Sequence, residues 1–438
     1  MVQISKVYAG AKANFLVLSL ILIGYISQIR SEGTHNMSYY VLWARSIAEG
    51  RLLEIYHATP ESVIQNSESL TVPYTPLSQY FTGAMSWLLL QFLPDELSTY
   101  VISVNLTCVL FTFLTVYLFY RSRSAWNLKS PRLYLLTPAV FLISPKLAYE
   151  DSIMTFFLVS TYLTLRNEKY LLAGFFAGCS IFSKQLALMP VVALFLLMIY
   201  SKKLYPAIKF SAGSVVSSVL ILSPFIFTGN LFLYFKAQSL TSVHTMLSAQ
   251  AANFPWLASL VYRITDLGLV DGLREGGNGL RITSDVFRQV GYLSSGVLTI
   301  LIFVAWVIYW GRRVGPQNID PLFAASVMIF CYHLFNFGVH ENHIFMLVPT
   351  LFLLTHSSRM WDTYKLTTSA LSIALFSAFG LGLDSRLFSG FSLNHPLLFT
   401  PALGFSFVLY LWGFIRIIRT NPNHPKTQVP LIVGRVSI

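Results

Sequence analysis

Long apolar runs separated by short polar segments extend over most of the chain, and this pattern predicts helices that cross a membrane. The runs are continuous and roughly 15–23 residues long, close to the ~20 residues that a helix needs to cross a bilayer. Transmembrane β-strands would instead alternate apolar and polar positions. The chain is therefore predicted to be an all-α polytopic membrane protein with about twelve transmembrane helices, near residues 12–30, 99–120, 133–145, 151–165, 170–184, 187–201, 210–228, 289–311, 321–338, 343–357, 366–383 and 397–415.

Composition supports the same fold class. Of the 438 residues, 55% are hydrophobic and 11% are charged, whereas soluble domains carry about 25% charged residues. The three cysteines, Cys108, Cys179 and Cys331, all fall inside apolar segments. They are interpreted as small core residues, and their placement does not indicate a disulfide framework.

The net charge of +12 is explained by membrane topology rather than by a nucleic-acid partner. If the N-terminus is cytoplasmic, the inner segments hold 19 of the 30 basic residues but only three of the 18 acidic residues, Glu168, Asp320 and Asp362. The positive-inside rule predicts this distribution. The expected partners on this ground are membrane lipids, and no nucleic acid is expected.

One apolar segment, 76–93, is assigned to the outer surface instead of a span. Making it a span would place the basic residues of segment 121–132 outside, so a helix that lies on or dips into the outer leaflet is predicted. The chain then forms a single transmembrane domain, 1–438. Its long first outer loop, 31–98, carries interfacial helices, and its second outer loop, 229–288, is a candidate lid. Residues 420–438 form a cytoplasmic tail.

Three groups of polar residues fall on the predicted outer side of the apolar runs. An ionised residue at mid-bilayer costs roughly 2.5–3.5 kcal/mol, so such residues lie at a membrane surface or line a polar cavity. The groups are Glu150-Asp151, Lys184-Gln185 and His340-Glu341-Asn342-His343.

Each group also has an interpretation that involves no catalysis. Asp151 could cap a helix N-terminus, and Lys184 could be an interfacial lysine whose ammonium group reaches water. The motif at 340–343 could be a solvated loop or a zinc site. Its His-Glu-Asn-His sequence lacks the His-Glu-x-x-His spacing of metalloproteases, which disfavours zinc.

Four segments occur in a distinctive order along the first 350 or so residues, and together they resemble a known class of enzyme. They are Asn36-Met37-Ser38-Tyr39-Tyr40 with Trp43 and Ile55-Tyr56; Pro73-Tyr74-Thr75-Pro76-Leu77; Tyr149-Glu150-Asp151-Ser152 followed by Ser183-Lys184-Gln185; and Val339-His340-Glu341-Asn342-His343. These segments resemble the outer loops of the multi-spanning glycosyltransferases of the GT-C class, which use polyprenyl-phosphate sugars. By motif, the nearest relatives are the dolichyl-phosphate-glucose glucosyltransferases of the N-glycan pathway and prokaryotic mannosyl- and glycosyltransferases.

The resemblance implies a hexosyltransferase that acts at the outer, non-cytoplasmic face of its membrane. It would transfer a hexose, with inversion, from a polyprenyl-phosphate donor to a lipid-linked glycan or another acceptor. The resemblance also implies that no metal or other cofactor is needed. A prokaryotic plasma membrane is expected rather than the endoplasmic reticulum.

The resemblance also suggests roles for individual residues. Lys184, His340 and His343 are predicted to bind the donor phosphate, with Glu341 orienting a histidine. Asp151 is the leading candidate for the general base, and Glu32 is the second candidate for that role. Glu150 is a further catalytic candidate. The predicted substrate-binding residues are Asn36, Tyr39, Trp43, Tyr74 and Gln185.

Two features of the first outer loop leave alternatives open. Relatives carry an Asp as general base where this chain has Asn36, and an amide cannot take up a proton at neutral pH. The rings of Tyr39, Trp43 and Tyr74 could form an interfacial aromatic belt instead of a surface for a sugar.

Two other functions remain open at the level of the whole chain. A ligase or polymerase of lipid-linked polysaccharide would share the architecture, and the basic residues of loop 229–288 would suit its pyrophosphate donor. A transporter or flippase is the non-enzymatic alternative. Transporters place ionisable groups near the midplane, often in internal repeats, and no such repeat is visible in this sequence.

Overall fold

The computed structural model describes residues 17, 19–31, 33, 37–56, 75–239, 247–249, 251–275, 285–379 and 396–423. Over these ranges the chain is all-α, as predicted, apart from one pair of two-residue strands. Glu32, Asn36 and Tyr74, which were predicted to line the site, lie outside the described residues, as do most of the tail and parts of both outer loops.

The helices follow one another closely along the chain. In the first half they are α1 (19–27), α2 (Met37–Ala48), α3 (Pro76–Leu89), α4 (Leu97–Trp126), α5 (Arg132–Leu135), α6 (Pro138–Phe141), α7 (Asp151–Arg166), α8 (Tyr170–Ser183), α9 (Leu188–Tyr200) and α10 (Leu204–Phe227). In the second half they are α11 (Leu231–Ser239), α12 (Phe254–Leu267), α13 (Leu269–Glu275), α14 (Asp285–Val314), α15 (Pro321–Phe335), α16 (Leu347–Leu353), α17 (Ser358–Phe379) and α18 (Pro396–Arg419). The strands β1 (Ser248–Ala249) and β2 (Val339–His340) pair in parallel.

The chain is an integral membrane protein. Among the described residues, four helices are long and apolar enough to cross a bilayer: Leu97–Ser124, Leu204–Phe227, Leu293–Val314 and Phe399–Arg419. Three shorter apolar helices accompany them, at Tyr170–Ser183, Gln185–Tyr200 and Pro321–Phe335. The count of twelve spans stays a prediction.

Two predicted spans are not single helices. The segment 133–145 divides into α5, α6 and a π-helical turn at Leu142–Lys146 that contains Pro145. Proline lacks a backbone N–H and its ring clashes with the preceding turn, so Pro138 and Pro145 interrupt the helix. The segment 343–357 is also divided, into a 3₁₀-helix at Glu341–Met346 and the short helix α16. Both stretches of irregular backbone are largely buried within the protein, which is where such backbone is tolerated at membrane depth.

The two outer loops contain helices. Helix α3, within segment 76–93, packs against α2 and α4. It buries a polar face that includes Ser78, Gln79 and Thr82, and leaves Trp87 and Leu88 exposed. In the second outer loop, the described residues form α11, α12 and α13 rather than irregular chain. Both the interfacial position of α3 and the role of the second loop as a lid stay predictions.

The C-terminal ends of several helices, which carry basic residues, lie together at one end of the bundle. The guanidinium carbon of Arg166, at the end of α7, lies 4.0 Å from the centre of the Trp126 ring at the end of α4. Ser201, after α9, donates a hydrogen bond to the carbonyl of Pro316, just beyond α14, at 2.9 Å. Trp310 near the end of α14 donates to the carbonyl of Ile418 near the end of α18, at 3.0 Å. The C-terminal ends of these helices therefore form one basic face, which the positive-inside rule predicts to be cytoplasmic.

Candidate active site

A buried ion pair lies at the opposite end of α7 from the basic face. Lys184 Nζ is 2.7 Å from Asp151 Oδ2, and Asn342 Nδ2 donates to the same oxygen at 2.9 Å. All three residues are buried. The predicted site residues Asp151 and Lys184 therefore meet each other and the His-Glu-Asn-His motif, although they are separated by up to 191 positions in the sequence.

Local backbone structure brings this pair together. Asp151 is the first residue of α7, and Lys184 is the first residue after α8. The two helices form a hairpin, so the start of one lies beside the end of the other. Lys184 leaves the helix with extended backbone angles, φ −160° and ψ 126°. The interpretation of Asp151 as a helix cap is wrong, because Asp151 follows the cap position and its side chain bonds to Lys184 and Asn342.

The two carboxylate oxygens of Asp151 have different environments. Oδ2 accepts the hydrogen bonds from Lys184 and Asn342, whereas Oδ1 has no hydrogen-bond partner among the described residues. An ion pair in such a place requires both members, because removing one leaves a buried charge, at a cost of about 3–5 kcal/mol. The arrangement thus fixes one oxygen and leaves the other as an acceptor.

Glu150 has a separate partner. Gln79 Nε2, on α3, lies 2.9 Å from Glu150 Oε1 and 3.0 Å from Oε2. The hydroxyl of Ser78 donates to the carbonyl of Ser183 at 2.8 Å, which attaches the start of α3 to the end of α8. Burial raises the pKa of Glu150 above its ordinary value.

Within the described part of the chain, Glu341 bonds to a tyrosine. Tyr149 donates its hydroxyl to Glu341 Oε1 at 2.9 Å, and the ring centre of Tyr149 is 5.7 Å from Lys184 Nζ. A hydrogen bond from Glu341 to a histidine is not among the described contacts, and its role in orienting a histidine stays a prediction. Burial raises the pKa of Glu341 to about 7.

The two histidines lie beside this centre and are half-buried. His340 belongs to β2, where it pairs with Ala249 of β1 in the second outer loop. The backbone N–H of His340 donates to His343 Nδ1 at 3.2 Å, and the two rings are 5.1 Å apart. Because His343 Nδ1 accepts this hydrogen bond, its Nε2 is the nitrogen that carries a proton and can donate.

The described contacts of the predicted substrate-binding residues Gln185, Tyr39 and Trp43 are with residues other than Asp151 and Lys184. Gln185 Nε2 donates to Gln238 Oε1 of α11 at 3.2 Å, and the acidic groups are not among its described hydrogen-bond partners. Tyr39 and Trp43 stack on α2 with ring centres 6.2 Å apart. Trp43 is buried while Tyr39 is half-buried, so Tyr39 presents the more accessible ring.

Sequence reasoning missed the role of three contact residues. Gln79 and Tyr149 hold Glu150 and Glu341, and Asn342 completes the ion pair. The one signal for Gln79 in the sequence is the polar face of an otherwise apolar segment. Among the described residues, no group of three or more His, Cys, Asp or Glu side chains is arranged to hold a metal ion.

Comparisons with known proteins leave the family open. No family model matches the sequence, and no curated protein is significantly similar to it. Among solved structures, the crystal structure of ArnT from Cupriavidus metallidurans bound to undecaprenyl phosphate is similar over 92% of this chain and 78% of that chain, with a TM-score of 0.47 and 12% sequence identity. A similarity of this extent carries no conclusion about function.

Proposed function

We propose that this chain is a membrane glycosyltransferase that transfers a hexose from a polyprenyl-phosphate donor to a lipid-linked glycan or another acceptor. The observation that carries the proposal is the buried centre of Asp151, Lys184 and Asn342, with His340 and His343 beside it. It lies at the end of α7 opposite the basic face. The resemblance of the same segments to GT-C outer loops supports the choice of reaction.

Lys184 and the two histidines suit a phosphate leaving group. As the bond between the sugar and the lipid phosphate breaks, negative charge grows on the phosphate oxygens. Preorganised donors in a site that excludes water stabilise such charge, and the loss of one donor typically costs about 2.7–4 kcal/mol. Lys184 supplies a full positive charge, and the imidazoles of His340 and His343 supply further hydrogen-bond donors.

In this proposal Asp151 accepts the proton of the acceptor hydroxyl. In the proposed reaction, the acceptor oxygen attacks the anomeric carbon and the bond from that carbon to the phosphate oxygen breaks. The hydroxyl proton passes to Asp151 Oδ1, and the bonding pair leaves with the lipid phosphate. Lys184, which bonds to the other oxygen of Asp151, is the cation that the departing phosphate would meet.

The proposal is tested by hexose transfer in proteoliposomes. With a radiolabelled hexosyl polyprenyl phosphate, Lys184→Ala and His340→Ala are each expected to reduce transfer at least ~10-fold, because each removes a group that stabilises the phosphate. Lys203→Ala, an exposed lysine at the basic face, is the matched control and should keep full activity. Wild-type rates in both site variants would remove the phosphate-binding assignment.

A second variant separates loss of activity from loss of folding. Lys184→Met combined with Asp151→Asn removes both buried charges, so no unpaired charge remains. The double variant is expected to melt near the wild-type temperature and to release no lipid phosphate. If wild-type vesicles instead accumulate the sugar lipid without releasing phosphate, the chain is a transporter and the proposal fails.

A further inference from the structure

A groove lies on the basic face, far from the ion pair. It has a volume of about 460 Å³ and runs between α14 and the end of α18. Its lining is mostly apolar and aromatic, with two arginines at one end. The lining residues are Ile302, Ala305, Trp306, Tyr309, Trp310 and Arg313 of α14, and Phe414, Ile418 and Arg419 of α18.

The α14 side of the groove is one continuous helical stripe. Its residues recur every three or four positions from Ile302 to Arg313, so they share one face of the helix. This stripe is about 16 Å long at the rise of an α-helix. Its length is close to half of the ~30 Å hydrocarbon core of a bilayer, which corresponds to one leaflet.

Hydrogen bonds fix the inner wall of the groove. The indole N–H groups of Trp306 and Trp310 both donate to the carbonyl of Ile418, at 3.3 Å and 3.0 Å. They satisfy a carbonyl in the last turn of α18 and link the two helices. The groove is therefore a preformed feature of this helix pair.

Among the described residues, no acid neutralises the arginines of the groove. The guanidinium carbon of Arg313 lies 4.4 Å from the centre of the Tyr309 ring, and neither Arg313 nor Arg419 forms a salt bridge within the described part of the chain. Their neighbour Arg416 differs, because it pairs with Asp362 at 3.1 Å. Both arginines of the groove are exposed, so the apolar groove ends in two unpaired cations.

We propose that this groove binds an anionic glycerophospholipid of the cytoplasmic leaflet. The phosphate would contact Arg313 and Arg419, since the guanidinium fork matches phosphate oxygens. One acyl chain would lie along the stripe from Tyr309 to Ile302. Aromatic residues and arginines at this depth are typical of contacts with anionic headgroups.

The proposal is tested by lipid retention in native mass spectrometry. Wild-type protein, the Arg313→Gln/Arg419→Gln variant and the control Arg312→Gln are each titrated with phosphatidylglycerol, phosphatidylcholine and undecaprenyl phosphate. Arg312 is exposed and adjacent in sequence but does not line the groove. The double variant should bind phosphatidylglycerol at least ~10-fold more weakly than the wild type, because two charges near the headgroup are lost.

The control and the other lipids decide the result. Arg312→Gln should retain phosphatidylglycerol like the wild type, and phosphatidylcholine should bind weakly to all three proteins. Equal phosphatidylglycerol binding by the double variant and the wild type would overturn the proposal, provided that their melting temperatures in a zwitterionic detergent agree. A preference for undecaprenyl phosphate over phosphatidylglycerol would also overturn it.

Discussion

Three buried carboxylates share one lysine at the candidate site. Glu150, Asp151 and Glu341 are each at most 4% exposed, yet only Asp151 forms a salt bridge among the described residues, and its partner is Lys184. Ionising all three would leave excess negative charge in a buried place, which is unfavourable. The site meets this constraint by pairing Asp151 with a cation and by favouring the protonated forms of the other two.

The raised pKa of Glu341 predicts how stability varies with pH. The folded protein favours the protonated form of Glu341. The contribution of Glu341 to the free energy of unfolding is therefore complete below its unfolded pKa of about 4.5, and it is lost as the pH rises through its folded pKa of about 7. Glutamine does not titrate. The melting temperature of the wild type minus that of Glu341→Gln is expected to fall by about 2 °C between about pH 5 and pH 8.

The control for this prediction is an acid outside the core. Glu96 is exposed, so Glu96→Gln removes a carboxylate without removing a buried group. Melting temperatures are measured in detergent across the same pH range. The difference between wild type and variant should fall with pH for Glu341→Gln but not for Glu96→Gln. A difference between wild type and Glu341→Gln that rises with pH would mean that the folded protein holds Glu341 as a carboxylate.

At this scale the sequence predicted the ionisable groups of the site but not all of their partners. Asp151, Lys184 and Glu341 stand out because charges are rare in apolar segments. Tyr149 and Gln79 do not stand out, because aromatic and amide residues occur throughout such chains. Which of them contacts a carboxylate depends on which helix ends meet in three dimensions.

At the scale of elements, the hairpin of α7 and α8 is held in place by close packing of α8 on α10. A side chain at Gly174 would place its Cβ 1.8 Å from the carbonyl oxygen of Phe210, and one at Gly213 would lie 1.9 Å from that of Leu171. Both contacts are to backbone, which cannot move aside as a side chain could. Small residues allow this approach of helices within a membrane.

Gly174→Ala is therefore expected to destabilise the protein. The methyl group must push α8 away from α10, and overpacking of this kind costs about 1–3 kcal/mol. The measurement is the melting temperature in detergent. Gly296→Ala is the matched control, because nothing lies within 4 Å of its Cβ position and alanine favours a helix interior. Equal melting temperatures for Gly174→Ala and the wild type would contradict the packing.

Elements could be predicted from the sequence where one apolar run makes one helix. The predicted spans 151–165 and 170–184 agree with α7 and α8 to within about one residue. The run 133–145 shows why the rule has exceptions, since its hydropathy is that of a span while Pro138 and Pro145 interrupt its backbone. In such a segment the proline positions decide the structure, whereas the prediction followed hydropathy.

At the scale of the whole molecule, the site is recessed rather than superficial. Cys108, within α4, lies with its Sγ 3.5 Å from the carbonyl of Tyr149. Helix α4 begins eleven residues earlier, at Leu97, so it extends about 16 Å beyond the level of the site. Helices α2 and α3, which pack on α4, accompany it there. This depth is compatible with a donor whose lipid reaches the site from the bilayer.

The two ends of the bundle are expected to lie on opposite sides of the membrane. Single cysteines at Glu96 and Lys203, both exposed positions, mark the site end and the basic end. The wild type is a suitable background because its three cysteines are buried. A membrane-impermeant maleimide should label Glu96→Cys in intact cells, but Lys203→Cys only after the membrane is opened, because the positive-inside rule places the basic face in the cytoplasm.

The pattern of labelling separates three possibilities. Labelling of Lys203→Cys alone in intact cells would invert the topology and place the ion pair of Asp151 and Lys184 on the cytoplasmic side. Labelling of both positions in intact cells would mean that the start of α4 and the end of α9 do not lie on opposite faces, which would contradict the arrangement of the bundle. The predicted pattern places the candidate site on the non-cytoplasmic side, where transfer from a polyprenyl-phosphate sugar is proposed to occur.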